Sequence, residues 1–78
     1  MNTIKTYADE APSLEEVQKF IGGNAEALEL SNGDLLLVDE EAKLKQGISV
    51  NKEASKLKGQ ILLGNAIIIK HNIRGENW

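Results

Sequence analysis

Five lysines fall within sixteen residues: Lys43, Lys45, Lys52, Lys56 and Lys58. If residues 52–58 are helical, Lys52 and Lys56 share a face at i, i+4 spacing. Lys52 then sits in the first turn, where a cation opposes the helix dipole. Such a misfit is what an anion site would show, because helix N-termini hold phosphates. These lysines, with Asn51 just ahead of them, are the candidate ligand-binding set, and the ligand they suit is small and anionic, nucleotide-like. A solvated lysine face is the simpler reading of the same pattern.

The other chemistry-bearing residues are sparser. Asp39, Glu40 and Glu41 supply oxygens for a hard cation, but a Ca²⁺ loop needs alternating ligands and a glycine at its turn, and neither is present. The three acids therefore read as a solvated strand end. His71 is the only histidine, and there is no cysteine. No serine is spaced to suggest a triad, and a general base at His71 needs a partner that the sequence does not reveal. Gly22, Gly23 and Gly64 belong to neither Gly-x-Gly-x-x-Gly nor a phosphate-binding Gly-Lys-Thr pattern. The chain is therefore expected not to be an enzyme and to need no cofactor and no metal. Against nucleic acid stand the acidic total, three aromatic residues only, and the lack of a helix-turn-helix pattern.

At 78 residues the chain has room for one domain. A chain this short buries only about 60–65% of its unfolded surface, so its core is marginal. With no disulfide available, association with further copies is the expected compensation, and a homo-oligomer is the expected state. The net charge is −3, but its distribution is uneven. Residues 1–41 carry ten acids and two lysines, whereas residues 42–78 carry two acids and seven bases. Such a polar molecule can associate head to tail or offer a basic patch to an anion. No stretch is long and apolar enough to cross a membrane, and no secretion signal is visible, so no membrane partner and a cytoplasmic location are expected.

The elements that must position these residues are legible from local signals. Thr3–Tyr7 reads as a short strand. "SLEEVQKFIGG" is the clearest helix, over 14–21: Ser13 and Glu16 form a capping box, and Leu14, Val17, Phe20 and Ile21 share a face. "LELSNGDLLLVD" reads as a β-hairpin with a two-residue Asn32-Gly33 turn. That register pairs Leu30 with Leu35, Leu28 with Leu37 and Glu26 with Asp39. One face then holds Leu28, Leu30, Leu35 and Leu37 under the helix. Leu36 and Val38 fall on the other face, where a one-sided sheet should be polar. Together with Ile68 they are the candidate interface residues, unless the N-terminal segment or the tail covers them. Asn51 and Gly59 bound a second helix near 52–58, with Ala54 and Leu57 toward the core. "AIII" at 66–69 reads as a strand buried on both faces, preceded by a turn or bulge at Gly64-Asn65.

Four of these stretches, "IGGNAEALEL", "DLLLVDEEAKLK", "VNKEASKL" and "LLGNAIII", come in an order and spacing that resemble a phage-associated family, the domain-of-unknown-function 3846 family. The positions that match are Gly22 and Gly23 with Glu26, then Asp39-Glu40-Glu41, Asn51 with Ala54, and Gly64-Asn65. Asp39, Ala42 and Asn65 stand where that family often has asparagine, glycine and aspartate. The resemblance covers about residues 14–69. It implies a bacteriophage or mobile-element context, in which small proteins without catalytic motifs often bind host factors or antagonise host defence.

The expectation is then an α+β domain spanning 1–78, with its core at about 14–70 and a tail at 71–78. It should hold a small, mostly antiparallel sheet of three to five strands, one helix packed on a face, and a second short helix. Its function is expected to be that of a small non-enzymatic binding protein, sequestering an anionic ligand or occupying a host protein. The alternative is a structural or regulatory accessory module acting only through protein–protein contacts.

Overall fold

The structure is a computed structural model, and it describes residues 2–74 and 78. Four strands and two helices alternate along the chain: β1 (Ile4–Tyr7), α1 (Leu14–Ile21), β2 (Ala25–Glu29), β3 (Leu35–Asp39), α2 (Lys52–Lys58) and β4 (Ala66–Ile69). Short 3₁₀ turns at Ala42–Leu44 and His71–Ile73 follow β3 and β4. The sheet order is β1-β4-β3-β2. β2–β3 and β3–β4 pair antiparallel, and β1–β4 pairs parallel. The protein is thus α+β with a mostly antiparallel sheet. β1 adds residues 4–7 to that sheet, ahead of the core expected from residue 14.

Local chemistry accounts for both helices. At the start of α1 the Glu16 amide donates to Ser13 Oγ at 3.1 Å, and the Ser13 amide donates to Glu16 Oε1 at 3.3 Å, closing the capping box. At the start of α2 the Ala54 amide donates to Asn51 Oδ1 at 3.1 Å. Each helix ends at a left-handed glycine, Gly22 and Gly59.

The hairpin differs from the expected register. Leu28 pairs with Leu36, Ala27 with Leu37 and Glu26 with Val38. The Leu30 amide donates to the Asp34 carbonyl at 2.9 Å, and the Gly33 amide to the Leu30 carbonyl at 3.0 Å. The loop therefore has three residues, 31–33, with Gly33 at φ 92° in its left-handed position. One residue of slip exchanges the faces of a strand relative to its neighbour. Leu35 and Leu37 lie under α1 with Val17, Ile21, Ile67 and Ile69, and Trp78 packs against this cluster from the tail. Leu28 and Leu30 join Leu36 and Val38 on the opposite face.

That opposite face is covered by the chain itself. Ala54 of α2 and Leu62 pack there with Leu30, Leu36, Val38 and Ala66, and Ile4, Leu28 and Ile68 border them. The sheet is sandwiched between α1 and the α2 layer, and β3 is buried along its whole length. This corrects the reading of Leu36, Val38 and Ile68 as an interface: Leu36 is 0% exposed and Ile68 is half-buried beneath the protein's own second layer. Leu14 and Leu57, assigned to the core by helical spacing, are exposed instead. Both short helices bury a stripe too narrow to include them.

Candidate functional site

The structure does not gather the five lysines. Lys45 leaves the α2 region and donates to Asp39 Oδ2 at 2.6 Å and to the Gly22 carbonyl at 2.9 Å. Gly23 runs beside this pair so closely that a Cβ there would lie 2.8 Å from Lys45 Nζ. Lys58 donates to the Glu29 carbonyl at 2.8 Å, tying the end of α2 to the edge strand β2. Lys43 lines a small cleft of about 140 Å³ with Glu26, Asp39, Glu40, Gln60 and Ile61, a mixed rather than a basic lining. Lys52 borders an open groove with Asn2, Ser49 and Val50. Lys56 stands in solvent on α2.

Asn51 is committed to the fold. Its Oδ1 caps α2, while its Nδ2 donates to the Gly64 carbonyl at 2.8 Å and to the Thr3 carbonyl at 3.4 Å. No polar atom of this side chain is left aimed at a ligand. What remains of the candidate ligand set is Lys52 and Lys56, for which no ion pair occurs among the described residues.

The acidic run divides in two. Glu40 and Glu41 are exposed, but Asp39 is 8% exposed and sits between Lys45 and the Glu41 amide, which donates to its Oδ1 at 2.9 Å. Burial pushes the Asp39 carboxyl up, and the Lys45 ammonium with the Glu41 N–H outweighs it, so the net shift is downward. Asp39 is therefore a clamp between β3 and the 3₁₀ turn, not a solvated strand end.

The partner of His71 is Asp34, at the mouth of the hairpin. Asp34 Oδ1 accepts the His71 amide at 2.9 Å and faces His71 Nδ1 at 3.0 Å. Asp34 Oδ2 accepts from Lys70 Nζ at 2.7 Å and from Asn32 Nδ2 at 3.1 Å. Lys70 first, then the His71 donors, hold this carboxyl far below the usual carboxylate range against the opposing effect of burial. Arg74 extends the network, donating to Glu29 Oε1 at 2.8 Å and the Gly33 carbonyl at 3.1 Å. The network staples the hairpin tip to the segment after β4. The contact spans 37 residues of sequence, and no local spacing signals it. Its histidine and carboxylate line none of the three clefts described for this chain.

A surface that sequence reasoning missed lies on the α2 layer. Val50 pairs with Leu63 in an antiparallel bridge, flanked by hydrogen bonds from the Asn51 amide to the Leu62 carbonyl and from the Gly64 amide to the Ser49 carbonyl. Leu62 and Asn51 point inward. The alternation of this short ribbon then turns Val50, Ile61 and Leu63 outward. Ile61 is 65% exposed, and Val50, Leu57 and Ile48 are exposed as well. Ile48 borders the ribbon at Gly64. Cations interleave with these side chains: Lys43 shares a cleft with Ile61, and Lys52 shares a groove with Val50. The only hint of this surface in the sequence is the density of aliphatic residues in "GISV" and "QILL", segments that read as connections.

Residues 2–78 match the family described as "Domain of unknown function (DUF3846)", and the chain belongs to that family. No curated protein and no solved structure matches the chain.

Proposed function

We propose that this chain is a non-enzymatic binding protein that acts by occupying the surface of another protein, with the outer face of the α2 layer as its contact surface. The observation that carries this reading is the exposure of Ile48, Val50, Leu57 and Ile61 on one short segment, interleaved with Lys43, Lys52 and Lys56. Aliphatic side chains grouped on the outside of a small domain and rimmed by charge are the composition of a docking surface. In a bacteriophage or mobile-element setting, acting in the host cytoplasm, the protein occupied is a host factor, and the outcome is antagonism of host defence. No helix among the described residues is long and apolar enough to cross a membrane. The experiment that tests the reading places a photo-crosslinking residue at Ile61 during expression in a bacterial host, with Asn72 as the control position.

A second reading keeps the small anionic ligand. Lys52 and Lys56 favour it, being exposed and without ion pairs among the described residues. It is the weaker of the two, because Lys45, Lys58 and Asn51 are engaged elsewhere.

A further inference from the structure

The two outer layers of this molecule are complementary to each other, and because the sheet separates them they cannot meet within one chain. On the α1 side, residues 8–21 carry Asp9, Glu10, Glu15 and Glu16 against the single cation Lys19, and all five are exposed. In their midst Leu14 is 59% exposed. Lys5, on neighbouring β1, is parked over the rings of Tyr7 and Phe20 at 5.2 and 5.8 Å, near the far end of α1 from Leu14. On the α2 side, Lys43, Lys52 and Lys56 surround the exposed aliphatic residues Val50, Leu57 and Ile61, with Glu53 the only acid of that helix. α1 packs on the sheet face that holds Leu35, Leu37, Ile67 and Ile69, and α2 packs on the face that holds Leu36, Val38 and Ala66.

Resting on the reading of the α2 layer as a contact surface, we propose that its occupant is a second copy of this chain, docked through its acidic α1 face with Leu14 set among Val50, Leu57 and Ile61. An acidic face carrying one aliphatic anchor fits a basic face carrying several, and opposite potentials steer the two together. A twofold dimer built on either face would oppose like charges. The contact is therefore heterologous, each copy leaving one face free, and the assembly is a ring or an open chain rather than a closed pair.

The test uses two charge-reversed proteins, each folded by the same internal contacts as the parent. One is Glu10→Lys with Glu15→Lys, which leaves the Ser13–Glu16 capping box intact. The other is Lys52→Glu with Lys56→Glu, which places acid in the first turn of α2, where the dipole favours it. Subunit number is read by light scattering. The parent is expected to assemble at low salt and to weaken at least about tenfold as salt rises from about 0.02 M to about 0.5 M. Each reversed protein alone is expected to be monomeric, and their mixture is expected to assemble again. A parent that is monomeric at low salt overturns the proposal, as does assembly that ignores salt or survives reversal of either face. A monomeric parent whose Ile61 crosslinks to a host protein overturns self-association and leaves the contact surface standing. A monomer with no crosslink at Ile61 removes both.

Discussion

Asp34 accepts hydrogen bonds on both carboxylate oxygens, and its donors, among them the Lys70 ammonium, require the ionised form. In the unfolded chain the group titrates near its ordinary value of 3.8, and in the folded protein it titrates well below that. The stabilisation it contributes is therefore fully present above about pH 5 and is lost as pH falls below about 4 toward the folded value. Asp34→Asn is expected to lower the Tm at neutral pH, with the gap from the parent narrowing on acidification; a gap that stays constant would contradict the assignment. Burial decides the next contrast. Leu36, fully enclosed between the sheet and α2, is expected to cost about 2–5 kcal/mol when cut to Ala. Leu57, half exposed, is expected to cost no more than about 0.5–1 kcal/mol. Chemical denaturation of the two variants measures the difference. Sequence periodicity could not separate these residues. It ranks positions within one element, whereas the width of the buried stripe is set by what packs against it.

At the scale of elements, α1 and α2 were legible because their signals are local: a cap three residues from its partner and a glycine at the end. Asn51 shows where local reading stops. Its role as the N-cap follows from its position, but its bonds to Gly64 and Thr3 join α2 to the starts of β4 and β1. Asn51→Ala is expected to cost about 1 kcal/mol for the cap, and about 1–3 kcal/mol more for the buried partners it strands. Ser13→Ala, which removes a solvent-facing cap alone, is expected to cost about 1 kcal/mol. Denaturant midpoints that rank Ser13→Ala at or above Asn51→Ala would contradict the account. The hairpin was recognisable from Asn32-Gly33, and its register was not. Either a two- or a three-residue loop accepts a glycine there. The three-residue loop places Asp34 opposite Leu30, and its carboxylate against Lys70 and His71, a contact invisible to any short window. That single residue of slip moved Leu28 and Leu30 to the α2 side.

At the scale of the whole molecule, the candidate site was the least legible part. The lysine cluster was visible as a run of charge, but three dimensions send Lys45 to Asp39 and Lys58 to Glu29. The apolar face beside Lys52 and Lys56 arises from a bridge between Val50 and Leu63, two segments without strand patterning. The uneven charge of the two halves of the sequence was readable from composition. Its meaning depends on the sheet lying between α1 and α2, which turns a sequence asymmetry into two opposed surfaces. The central claim is that the α2 face is where another protein docks. Photo-crosslinking from Ile61 in a bacterial host, against the control at Asn72, tests it most directly. The account predicts a discrete higher-mass adduct from Ile61 and none from Asn72. No adduct from Ile61, or equal adducts from both positions, would contradict it.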